Sequence, residues 1–168
     1  MSSNGTDGSR ERVIAVFPGH YVEKEKLASY KTWPARFVFT DRRVAIIDLN
    51  ITGLSAMMNK VRSQFKNAPL YIEGDPPFGD PSYADMDVSN EMAAGERSLS
   101  IPRSSIKSVE EGNLDKIAFF NIRIFFDEEA KNPDHILVFP YNRQGLPVWS
   151  LHKNAMTFQM FLDQYFNG

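Results

Sequence analysis

The sequence predicts a mainly-β domain, a strongly bent antiparallel barrel or sandwich closed by one C-terminal α-helix. Three observations carry that class. Short aromatic and β-branched runs bounded by Pro, Gly, Asn and Asp recur from Val13 to Phe139, the pattern of pleated segments separated by turns. The last stretch changes period: Leu151, Ala155, Phe158, Leu162 and Tyr165 fall on one face of a helix. With 168 residues, 42% of them hydrophobic, the chain can bury one continuous core, whereas two halves would each be marginal.

The elements follow in order. Residues Met1 to Arg10 are rich in Ser, Gly and Asn and read as a disordered tail. They lack the basic-then-apolar order of a signal peptide. Val13-Ile14-Ala15-Val16-Phe17 is a short strand stopped by Pro18-Gly19. From Tyr21 to Tyr30 a solvent-facing strand competes with a helix favoured by Glu23-Lys24-Glu25-Lys26. A hairpin follows, with Arg36 to Phe39 and Arg43 to Asp48 flanking a turn at Thr40-Asp41-Arg42. Val44 and Ile46 face one way and Ala45 and Ile47 the other, so this second strand is covered on both sides. Leu54, Met57, Met58, Val61 and Phe65 form a helical stripe between Thr52 and Lys66. Gly74 to Gly95 carries Asp75-Pro76-Pro77 and Gly79-Asp80-Pro81 and reads as a long acidic loop. Ser98 to Ile101 is a strand ended by Pro102. Leu114 to Phe126 and His135 to Phe139 pair across a polar turn at Asp127 to Pro133. The final helix starts at Ser150 or Asn154, gains Phe161 and Phe166 on its apolar face, and stops at Asn167-Gly168. That face must be buried against the sheet.

Composition excludes several functions. There is no cysteine, which removes disulfides, thiolate nucleophiles and cysteine-ligated zinc and suits a reducing cytosol. No apolar run approaches the ~20 residues that cross a bilayer, so the expected location is cytoplasmic, with a peripheral place at the membrane as the variant. A net charge of −2 argues against nucleic acid as partner. The charge is segregated: His20 to Lys66 holds nine basic and four acidic residues, whereas Ile72 to Glu96 holds seven acidic and no basic ones.

Pro18-Gly19-His20, the hairpin Phe37-Val38-Phe39-Thr40-Asp41-Arg42-Arg43-Val44, the segment from Leu99 through Ile101-Pro102-Arg103-Ser104-Ser105-Ile106 to Glu110, a later hairpin and a final amphipathic helix occur in that order. This order resembles the pleckstrin-homology-like (PH-like) superfamily, especially its GRAM and bacterial PH-like branches, over Pro18 to Phe166. Two departures stand out. His20 takes a place where Glu is common, and residues 51–95 look like an insertion of an amphipathic helix and an acidic loop into a single domain spanning 11–168. The resemblance implies a strongly bent antiparallel β-barrel capped by the C-terminal helix. It also implies a binding or scaffolding role toward membrane lipids or protein segments.

The candidate sites each have a plainer reading. Lys24, Lys26, Lys31, Arg36, Arg42 and Arg43 could converge on an anionic lipid headgroup through charge-assisted bonds. They lack the Lys-spacer-Arg-x-Arg spacing of many PH domains, and solvated strand edges explain them as well. Met57, Met58, Val61 and Phe65 form a face for a protein partner, for a membrane interface, or for packing on their own domain. Asp85, Asp87, Ser89 and Glu96 stand at positions 1, 3, 5 and 12 of a calcium-like loop. Asn90 replaces the usual Gly and the flanking helices are missing, so an acidic surface loop, free or folded onto the basic surface, is the alternative. Trp33 and Trp149 lie at expected loop junctions and are expected to be partly buried. His20, His135 and His152 are far apart without ligand spacing, and no phosphate loop or nucleophile elbow appears. Ser104-Ser105 suits turn hydrogen bonding. The expectation is a non-enzymatic adaptor without cofactor that recognises a protein segment or itself. Anionic-lipid binding is the second reading and an enzyme on a barrel the third.

Overall fold

The computed structural model describes residues 10–24, 30–50, 71–113, 120–139 and 152–168. Lys26, Trp149, the stripe Met57, Met58, Val61 and Phe65, and all of the expected tail except Arg10 lie outside the described residues, as do the side chains of Lys24 and Lys31. The chain is mainly β. The described strands form one curled antiparallel sheet, a half-barrel: β1 (Val13–Lys24), β2 (Tyr30–Thr40), β3 (Arg43–Asp48), β4 (Tyr71–Ile72), β5 (Phe78–Gly79), β6 (Leu99–Pro102), β7 (Ser108–Asn113), β8 (Phe120–Phe125) and β9 (His135–Phe139). Two helices are described, α1 (Val88–Ala93) and α2 (His152–Asn167). The sheet runs β6-β3-β2-β1-β9-β8-β7, with the β4–β5 hairpin attached to β1. No helix among the described residues is long and apolar enough to cross a membrane.

The first strand does not stop at Pro18-Gly19. β1 continues to Lys24 and pairs with β2 along its length, while its other edge changes partner. That edge meets β4 at Ala15 and Val16 and β9 from His20 to Val22. Pro18 and Gly19 fall in the gap between those partners, where a missing N–H breaks no ladder on that side. Glycine is required there. A Cβ on Gly19 would run into the Phe37 ring and the Val138 carbonyl.

Alternation along the strands builds two cores. The inner face gathers Phe17, Trp33, Phe37, Phe39, Ile46, Ile122, Leu137 and Phe139, and α2 lays Phe158, Phe161, Leu162 and Tyr165 across it. Its rings meet edge to face: Phe17 and Phe158 are 4.7 Å apart at 87°, Phe39 and Tyr165 5.2 Å at 83°, the arrangement that ring quadrupoles favour. The outer face gathers Val13, Val16, Val38, Ala45 and Ile47, covered by Tyr71 and Val88 with Tyr83, Met86 and Met92. The expected two-sided burial of β3 is therefore present. The expected loop from Gly74 to Gly95 is not a loop throughout. It contains β5, a 3-10 turn at Pro81–Asp85 and α1, and it is the lid of the outer core. Trp33 is likewise not at a junction but inside β2, and only 1% exposed.

Polar ties fasten the C-terminal end of α2. The Tyr165 hydroxyl donates to the Thr40 carbonyl at 2.7 Å. Arg103 donates to the Tyr165 carbonyl at 2.8 Å while its guanidinium lies 4.3 Å from that ring.

Candidate functional site

β7 ends the sheet. It pairs with β8 from Ser108 to Asn113, and no other described strand takes its second edge. An edge of this kind presents a row of backbone donors and acceptors to an incoming chain. Its residues alternate. Val109 and Glu111 stand opposite Ile124 and Ile122, which are inner-face residues, and Glu110 stands opposite Arg123 on the other face. α2 lies along the inner side of this edge, where Gln159 Nε2 donates to both Glu111 oxygens at 3.2 Å and to Asp163 Oδ1 at 3.2 Å. Val109 and Phe166 are partly buried against the inner core, while Glu111 and Asp163 are exposed. The strip between strand and helix thus has the partly buried Val109 at its base and two exposed carboxylates, Glu111 and Asp163, joined through Gln159 at its rim.

The basic residues with described side chains do not form one pocket. Arg36 lies 5.5 Å from the Tyr83 ring, against the outer lid. Arg43 forks onto Glu11 with bonds of 2.8 and 2.9 Å and also reaches Ser89 Oγ at 3.0 Å. Glu11 accepts a further bond from Thr40 at 2.7 Å. Burial alone would raise the Glu11 pKa, but Arg43 and Thr40 together hold it below the usual value. Arg42 lines a cleft of about 360 Å³ with Arg10, Glu11, Asp87 and Ser89. Here the expected basic and calcium-like sets meet.

The calcium-like residues have other roles. Asp87 caps α1, its Oδ1 accepting from the Asn90 N–H at 3.1 Å. The Asp85 carbonyl accepts from Arg10 at 2.8 Å, Ser89 accepts from Arg43, and Glu96 is exposed beyond α1. Among the described residues no group of three His, Asp or Glu side chains is placed to hold a metal ion.

A further polar cluster lies at one end of the inner core. Tyr21 Oη and His135 Nδ1 share a hydrogen bond of 2.8 Å, and burial pushes the Tyr21 pKa up to about 12 and that of His135 down. Next to it, Arg97 forks onto Asp48 at 2.8 and 2.9 Å and lies 5.1 Å from the Trp33 ring. Burial works to raise the Asp48 pKa, yet the Arg97 fork and the Asn50 and Arg97 backbone N–H groups hold it below its usual value. This cluster fastens β3 to the chain entering β6. Gly95 allows the close approach, since a Cβ there would stand 2.8 Å from the Asp48 carbonyl.

Sequence reasoning missed the β7 edge. Ser108-Val109-Glu110-Glu111-Gly112-Asn113 lacks strand propensity, and its one signal is the adjacent acidic pair. Compared with protein-family models, with curated proteins and with solved structures, the chain matches none.

Proposed function

We propose that the chain is a non-enzymatic binding module of PH-like build that takes an extended, basic protein segment onto the free edge of β7. The observation that carries this reading is the edge itself: a ladder that no other described strand pairs, beside a helix, with Val109 at its base and an acidic rim. Strand addition supplies affinity through main-chain hydrogen bonds, and alternate side chains supply selectivity. A segment alternating apolar and basic residues would place an apolar side chain over Val109 and its cations beside Glu111 and Asp163.

Connectivity supports the PH-like half of the reading. With the β4–β5 hairpin set aside, the strands run as two meanders, β1-β2-β3-β6 and β7-β8-β9. The last strand lies beside the first, and α2 crosses the inner face. Protein is favoured over anionic lipid because Arg36 and Arg43 do not converge on one pocket: Arg36 lies on the Tyr83 ring and Arg43 is forked onto Glu11.

The test is fluorescence anisotropy with a labelled peptide alternating Val and Lys, beside its Val and Glu counterpart. Saturable binding of the basic peptide alone, weakened by salt and reduced about tenfold by Glu111→Lys, is the expected result. Equal binding of both peptides, or basic-peptide binding indifferent to Glu111→Lys and Asp163→Lys, refutes it. Binding only to anionic vesicles favours the lipid reading.

A further inference from the structure

We infer that Ser89 is a phosphorylation site whose phosphate is received by the arginine-lined cleft beside it. The geometry is local. Ser89 is exposed on α1, at the surface of the outer lid. Its hydroxyl already accepts from Arg43 at 3.0 Å, and the cleft it lines, of about 360 Å³, is also lined by Arg10 and Arg42. The Arg43 guanidinium thus bonds the serine directly, and Arg10 and Arg42 line the same cleft together with Glu11 and Asp87, although the segment from Ile72 to Glu96 has no basic residue of its own. Among the described residues Arg10 donates to a carbonyl, that of Asp85, rather than to a carboxylate.

The carboxylates nearby are engaged. Glu11 is held by Arg43 and Thr40, and Asp87 Oδ1 caps α1. A phosphoserine brings close to two negative charges and three strong acceptors, and opposite an arginine cluster it forms charge-assisted bonds that order the segment carrying it. The donor is ATP, used by a protein kinase that acts on serine with acidic flanks. Asp85, Asp87 and Glu91 supply those flanks. In the transfer, Ser89 Oγ attacks the γ-phosphorus of ATP and the new O–P bond forms. The bond from that phosphorus to the β,γ-bridging oxygen breaks, ADP leaves, and the hydroxyl proton passes to the kinase base. The consequence is a lid pinned more tightly over the outer core, because Arg10 and Arg42 join Arg43 in holding it.

The full chain is exposed to an acidophilic serine kinase and ATP, and its peptides are sequenced by mass spectrometry. Phosphate at Ser89 is expected; incorporation only at other residues, or none, overturns the assignment. Separately, the chain carrying genetically encoded phosphoserine at position 89 is melted beside the unmodified protein. A rise in Tm of about 2–4 °C is expected, lost in high salt and lost in the Arg10→Gln/Arg42→Gln double variant. Ser89→Ala serves as the baseline that cannot be modified. An unchanged or lowered Tm, or a rise that survives the double variant, overturns the role of the cleft.

Discussion

The two faces of the β1-β2-β3 sheet are buried by different means. The inner face is aromatic, with Phe17, Phe39 and, from β9, Phe139 meeting the rings of α2 edge to face and Phe37 packed edge-on against Phe139. The outer face is built from smaller side chains, Val13, Val16, Val38, Ala45 and Ile47, and its cover is a short irregular lid tied down by Arg36 on Tyr83 and Arg43 on Ser89. Large interlocking rings tolerate little loss of volume. A thin lid with polar ties can open as a local unit below the global unfolding free energy. The inner core therefore holds the fold, and the outer one holds a segment that can respond to chemistry.

Substitutions should separate the faces by size of effect. Phe39→Ala, which empties a fully buried position touching three α2 rings, is expected to cost about 3–5 kcal/mol in denaturant unfolding. Gly19→Ala should cost about 1–3 kcal/mol, because the obstructing Val138 carbonyl is backbone and cannot step aside. Val88→Ala, on the inward side of the outer lid, should cost about 1–2 kcal/mol and should speed amide exchange in 81–93 more than in β2. Equal losses for Phe39→Ala and Val88→Ala would abolish the distinction between the faces.

Acid should sharpen it. His20 and His135 both have pKa values lowered by burial, so the unfolded chain binds more protons than the folded one just below the usual value of 6.5. Stability from these groups is fully present above that pH and declines as pH falls toward the lowered values. Asp48 and Glu11, held below their usual values, contribute above the ordinary carboxylate range and lose that contribution at lower pH still. Two successive declines in Tm on acidification are expected. A Tm that rises between pH 6.5 and 5.5 would contradict the histidine assignment.

Much of this was legible in the residues. The hairpin through Thr40-Asp41-Arg42, the strand His135–Phe139 and the final amphipathic helix each carry a strong local pattern, and the structure has them. The double apolar alternation of Val44 to Ile47 required a second cover, although its source stayed hidden. Tyr71, Tyr83, Met86, Val88 and Met92 follow no period, because the lid changes from strand to 3-10 turn to helix within a few residues. The passage of β1 through Pro18-Gly19 was illegible for a tertiary reason: only the change of partner from β4 to β9 makes a proline harmless there. The candidate site was the least legible part. An edge exists only by virtue of sheet order, and the two glutamates of β7 look like any solvated pair until α2 is laid beside them.

The smallest effect on stability should come from the edge. Glu111→Lys is expected to change unfolding by less than about 0.5 kcal/mol while weakening peptide binding about tenfold. The most direct test of the central claim is amide hydrogen exchange of the full chain with and without the alternating Val and Lys peptide. Slowed exchange at alternate amides of Ser108–Asn113, with β2 and β3 unchanged, is the result that strand addition to β7 requires. Protection confined to the outer lid, or bound peptide with no protection in β7, would contradict it.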